Sequence, residues 1–309
     1  MRTTFNGLLR FIAVLSIATT FLATPGFADE GPGEERTLTT QDGWQIKITY
    51  YESSGGKESP VAILFPGVEG FEESRTRKVW DKVAEALQKE KYAVVTADLR
   101  KHGDSVPDSD DARATRLMTA DYGLMVSQDL AAIKAFLVAE HQKEMLNIRK
   151  LGIATAGSGC LVATAFAAND WATKPWPDAP TLAARTPRGQ DVRAIMMLSP
   201  KALVRGINAA QVCKYMADPV KGVAVHIYFN PSDRTEKSAA AKIHRYFKLP
   251  KDTAEARMLH EGPEDKVYSA EGLLQDKAGE VMQKKISEFF GTFVRDRPEA
   301  WKTRTSKLQ

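Results

Sequence analysis

The residues best suited to covalent chemistry lie in the stretch Lys150-Leu151-Gly152-Ile153-Ala154-Thr155-Ala156-Gly157-Ser158-Gly159-Cys160. A short apolar run ends there in a bend of glycine and serine. A serine hydroxyl becomes a nucleophile when a histidine takes its proton and an acid orients that histidine. Ser158 is the candidate hydroxyl. The chain has five histidines, His102, His141, His226, His244 and His260. Cys160 and Cys213 are its two cysteines; after export they could pair, or both could be small buried hydrophobes. Neither cysteines nor histidines have metal-ligand spacing, so no metal is expected. No Gly-x-Gly-x-x-Gly follows the first strand of a βαβ unit, and Gly-Ser-Gly is too short for a phosphate loop, so no cofactor is expected.

The elements that must position these residues alternate. Residues 38–40 and 44–51 read as two strands around an Asp42-Gly43 turn, a hairpin signal. Apolar runs at 61–65, 92–97, 151–155, 192–198, 223–229 and 256–260 read as strands. Helical patterns fall at 79–90, 122–140, 161–168, 239–247 and 279–293. Continuous apolar strands separated by helices imply a mostly parallel sheet covered on both faces. The 171–190 segment reads as an edge loop. The 201–221 segment lies where a lid could insert but is too short for a large cap, so any site should be open.

Arg2 and Arg10 flank an apolar run over 11–22, and Pro25-Gly26-Phe27-Ala28 supplies small residues before a cut after Ala28. This is the layout of a secretory signal peptide. The run is shorter than the roughly 20 residues of a spanning helix. The expectation is a leader over 1–28, a domain over 29–294 and a polar, basic, frayed tail over 295–309. The mature protein would be secreted or periplasmic, without stable membrane insertion. The net charge of +4 is dispersed among acids, as in Glu72-Glu73 beside Arg75-Thr76-Arg77-Lys78, which argues against a nucleic-acid partner.

Four local matches resemble the α/β-hydrolase superfamily. Leu64-Phe65-Pro66-Gly67-Val68-Glu69-Gly70 resembles its strand-3 oxyanion loop, with Pro66 in place of the usual histidine. Asp98-Leu99-Arg100-Lys101-His102-Gly103-Asp104-Ser105 resembles the strand-4 exit and is the most specific match. The long helix before residues 151–155, with the Gly-rich turn after them, resembles the approach to the nucleophile elbow. Ile227-Tyr228-Phe229-Asn230-Pro231-Ser232-Asp233 resembles the strand-7 exit that carries the triad acid. The matches span residues 38–293. They imply an α/β-hydrolase fold and acyl-transfer chemistry at a Gly-x-Ser-x-Gly elbow, where the central residue takes φ > 0. The chain is similar to secreted bacterial α/β-hydrolase-like proteins with a degenerate triad.

In the frame set by strand length, Gly157 stands at the nucleophile position and Gly159 at the small position two beyond. In the other frame Ser158 is the nucleophile, between Ala156 and Cys160. The resemblance expects the triad histidine where Ser269 stands, anchored on Gly272-Leu273-Leu274, while His260 comes earlier, inside a strand. Asp233 fits the acid position, or caps a helix. The amides of Gly67, Val68 and Ser158 fit an oxyanion nest. The expectation is an extracytoplasmic protein with degenerate catalytic residues, inactive or weakly active, binding a small acyl-like ligand or a protein partner. The rival is an ester or amide hydrolase using Ser158, Asp233 and His260.

Overall fold

The computed structural model describes residues 32–69, 76–107, 116–248, 255–264 and 268–308. The expected leader, together with Gly70, lies outside these residues. Eight strands form one sheet: β1 Glu34–Thr39, β2 Gln45–Tyr51, β3 Val61–Phe65, β4 Ala93–Asp98, β5 Leu151–Ala156, β6 Val192–Leu198, β7 Ala224–Phe229 and β8 Arg257–Glu261. Their order is β1-β2-β4-β3-β5-β6-β7-β8. β1 and β2 pair antiparallel, β2 joins β4 antiparallel, and every later pairing is parallel.

The strand sequences explain this arrangement. All residues of β3, β4, β5 and β6 are buried, as strands covered on both faces must be. Successive side chains point to opposite faces. Val61, Ile63 and Phe65 join one apolar cluster; Ala62 and Leu64 join the other. The first cluster takes in helices α2 Thr119–Gln142, α3 Gly159–Ala172, α4 Ala209–Met216 and α5 Arg234–Phe247. The second takes in α1 Asp81–Lys89 and α6 Asp276–Phe290. Among the described residues α2 alone is long and apolar enough to cross a membrane. Its Leu130, Ile133 and Leu137 are fully buried against the sheet.

The β4 exit is a scaffold of ion pairs. The Asp98 carboxylate accepts from the Arg77 amide at 2.7 Å and from Arg77 Nη1 at 2.6 Å. Arg100 donates to Asp129 and to Asp42, tying the β1–β2 turn to α2. Ser105 Oγ donates to the Asp98 carbonyl and accepts from the Lys47 amide. Each buried charge thus has a partner, which is what makes its burial tolerable.

One expectation needs correction. The tail past residue 295 is held rather than frayed: Arg304 is 8% exposed and pairs with the buried Asp191. Its polar composition hid this, because its partners are backbone carbonyls and buried carboxylates. Cys160 and Cys213 are both buried and unpaired with each other.

Candidate functional site

β5 delivers the chain to a sharp turn. Gly157 sits at its apex with φ +54°, a left-handed conformation that side-chain-bearing residues adopt at a cost. Ser158 follows with helical angles and caps α3 without a side-chain hydrogen bond. Gly159 is the small position: a Cβ there would lie 3.1 Å from both the Phe65 ring and the Pro66 carbonyl.

The space above Gly157 is filled by a carboxylate. Glu69, from the loop after β3, accepts a hydrogen bond from the Ser158 amide at 2.6 Å, and its Oε1 lies 3.4 Å from Lys201 Nζ. A side chain on Gly157 would run into this carboxylate. The Gly67 amide donates to Glu271 Oε1. Both carboxylates also crowd the position where a Gly67 side chain would sit. The two amides placed to hold an oxyanion therefore each hold an internal carboxylate. Val68, the third residue of the expected nest, is 1% exposed and packs in the core.

A cleft of about 870 Å³ opens over this floor, lined among others by Glu69, Gly157, Asp233, Ser269 and Glu271. Its wall holds two non-glycine residues in the left-handed region, Ser199 (φ +46°) and Ala270 (φ +49°). The Ala270 amide donates to Ser199 Oγ at 2.8 Å, and the Ser199 amide to the Tyr228 carbonyl at 2.7 Å. Strained backbone held this firmly gathers at functional sites.

The cleft brings together Gly157, Asp233 and Ser269, but not Ser158 and His260. Ser158 is 4% exposed and its hydroxyl has no hydrogen-bond partner. Asp233 accepts from the Thr235 and Glu236 amides and so caps α5. His260 stacks on Tyr228, with ring centroids 4.4 Å apart, and its Nε2 lies 3.3 Å from Nδ1 of His226. Those rings sit on the sheet face covered by α6. His102, His141 and His244 face backbone carbonyls of Arg100, of Leu146 and Lys302, and of Arg257. No imidazole is hydrogen-bonded to the Ser158 hydroxyl, and Asp233 is not bonded to His260. Burial pushes the Cys160 thiol well above its ordinary value, which makes it a poor nucleophile. Among the described residues no cluster of three metal-ligating side chains is present.

No family model and no curated protein matches the sequence. Solved structures do match. A dienelactone hydrolase from Anabaena variabilis superposes with a TM-score of 0.58 at 15% identity, covering 85% of this chain and 100% of that one. The chain has the α/β-hydrolase fold. An esterase from Pyrococcus furiosus gives 0.57 at 14% identity, covering 85% of this chain and 91% of the other. Thermogutta terrifontis esterase 2, phosphoramylated by tabun, gives 0.56 at 12% identity, covering 85% and 96%. Within the α/β-hydrolase fold the turn after the fifth strand is where a nucleophile is presented, and here its apex is Gly157.

Glu69, Glu271 and Lys201 belong to no motif that marks them as site residues in the sequence. Glu69 stood inside the quoted loop, between Gly67 and Gly70, and a charge between glycines there was the one available signal.

Proposed function

We propose that this α/β-hydrolase-fold protein does not carry out serine acyl transfer and acts instead by binding a ligand or partner at the cleft above Gly157. One observation carries the reading: Glu69 and Glu271 engage the Ser158 and Gly67 amides. Acyl transfer needs those donors empty, so that they can take up charge as it develops on the carbonyl oxygen. It also needs a hydroxyl within reach of a base, and the Ser158 hydroxyl has no hydrogen-bond partner. The cleft volume lies in the range of small-molecule sites, roughly 300–1,000 Å³. The basic flank, apolar run and small residues at the N-terminus support export, so binding would take place outside the cytoplasm.

Short p-nitrophenyl esters and a fluorophosphonate probe test this on the purified chain. The expected result is no turnover above buffer and no label at Ser158. Turnover that disappears in Ser158→Ala would establish the hydrolase reading instead.

A further inference from the structure

Beyond the Glu69–Lys201 pair lies a second pocket of about 390 Å³, with Ser158 among its lining residues and Leu117, Met118, Tyr122, Leu203 and Val204 as walls. Leu203 is 84% exposed and Met118 56%. Large apolar side chains left in water around a concavity mark a contact surface better than scattered ones do.

The base of this pocket is suited to a carboxylate and already holds one. Glu69 Oε1 takes the Ser158 amide at the first turn of α3 and lies beside the Lys201 ammonium. Helix amide, helix dipole and ammonium all favour an anion. This arrangement leaves one group unused: the buried Ser158 hydroxyl has no partner, and an unmade buried hydrogen bond is costly. Arg205 adds a second cation to the lining. Among the described lining residues Lys201 and Arg205 are cations and Glu69 is the carboxylate, a lining that favours an anion.

We propose that this pocket binds a small monocarboxylate with an apolar body, and that Glu69 is its built-in competitor. The incoming carboxylate replaces Glu69 on the Ser158 amide and Lys201, gains the Ser158 hydroxyl, and lays its apolar body between Leu203 and Met118. Glu69 then turns to the larger cleft, which it also lines. The inference rests on the non-hydrolytic reading, because it makes Ser158 a contact rather than a nucleophile.

Calorimetric titration of the full chain with octanoate tests it. Wild type binds weakly and saturably. Glu69→Ala binds about tenfold tighter, the scale of one charge-assisted hydrogen bond no longer contested. Adding Ser158→Ala or Lys201→Gln to Glu69→Ala removes most of that gain, and octylammonium binds none of the variants. A folded Glu69→Ala with no gain, or octylammonium binding as well as octanoate, overturns the proposal. So does the absence of saturable octanoate binding in every folded variant. Should Glu69→Ala fail to fold, Lys201→Gln in the wild-type background decides, since that side chain is 56% exposed. Lost octanoate binding then supports the proposal and unchanged binding overturns it. Ester turnover in the same preparations would sink the non-hydrolytic reading while leaving the octanoate result standing, so the two failures read out separately.

Discussion

At Gly157 backbone geometry and side-chain chemistry impose the same choice. Its φ of +54° costs an ordinary residue roughly 1–2 kcal/mol. A serine there would also push the Glu69 carboxylate off the Ser158 amide, a hydrogen bond to a charged group of about 1.5–3 kcal/mol. Gly157→Ser is therefore expected to lose about 3 kcal/mol of stability in urea unfolding. It is also expected to gain no esterase activity, because no histidine faces the new hydroxyl. Adding Glu69→Ala should restore part of the stability. A Gly157→Ser protein as stable as wild type would show that the carboxylate is not confined above the turn. The bend itself was legible, since Gly-Ser-Gly after an apolar run has few other uses. Glu69 and Glu271 were not, because a loop carboxylate has no periodicity. Its partners are backbone amides that only the assembled sheet brings near.

Elements were easier to read than their ends. The runs of β3 to β6 stood out as largely apolar stretches, because parallel strands inside a sheet are buried on both faces. The edge strand β8 instead carries Arg257, His260 and Glu261 and is mostly half-buried. The apolar pattern of α5 starts only at residue 239, while Asp233 as a cap places the start near Glu236, and the helix begins at Arg234. Its first turn, Arg-Thr-Glu-Lys-Ser, has no apolar residue to betray a helix, and the Asp233 cap starts it. The histidines on β7 and β8 also took their meaning from element packing. His226 stacks on Phe289 of α6 with ring centroids 4.1 Å apart. Burial pushes His226 down to about 4, with His260 adding to the effect, and burial also lowers His260. A histidine kept neutral by folding stabilises fully above its unfolded value near 6.5 and loses that contribution as pH falls toward the folded value. Between pH 7 and pH 5, wild type should lose on the order of 2 kcal/mol more than His226→Phe does. Parallel urea titrations at the two pH values measure the difference, and equal losses would refute it.

Over the whole molecule, the C-terminal segment ties the ends of several elements together. The Glu299 carbonyl accepts from Asn147 Nδ2 at 2.8 Å, and Trp301 Nε1 donates to the His141 carbonyl at the end of α2. The Trp301 ring packs on His141 with centroids 4.8 Å apart. Arg304 then reaches Asp191, just before β6, where Lys134 of α2 already bridges Asp191 and Asp170. Burial alone would raise the Asp191 carboxyl, yet Lys134 and Arg304 together hold it below its ordinary value. Removing Arg304 leaves two buried carboxylates sharing one ammonium. Breaking a buried pair from one side costs about 3–5 kcal/mol, because the charge left behind keeps its desolvation penalty. Arg304→Ala should fall in that range, with a Tm lower by roughly 6–20 °C at about 2–4 °C per kcal/mol for a domain of this size. Ending the chain after Asp296 should cost at least as much, since it also strips Trp301 from His141. Leu308→Ala, which is 75% exposed in wild type, should change little and serves as the control. If Arg304→Ala melts with wild type, the tail is a passenger on the fold and Lys134 alone suffices for both aspartates.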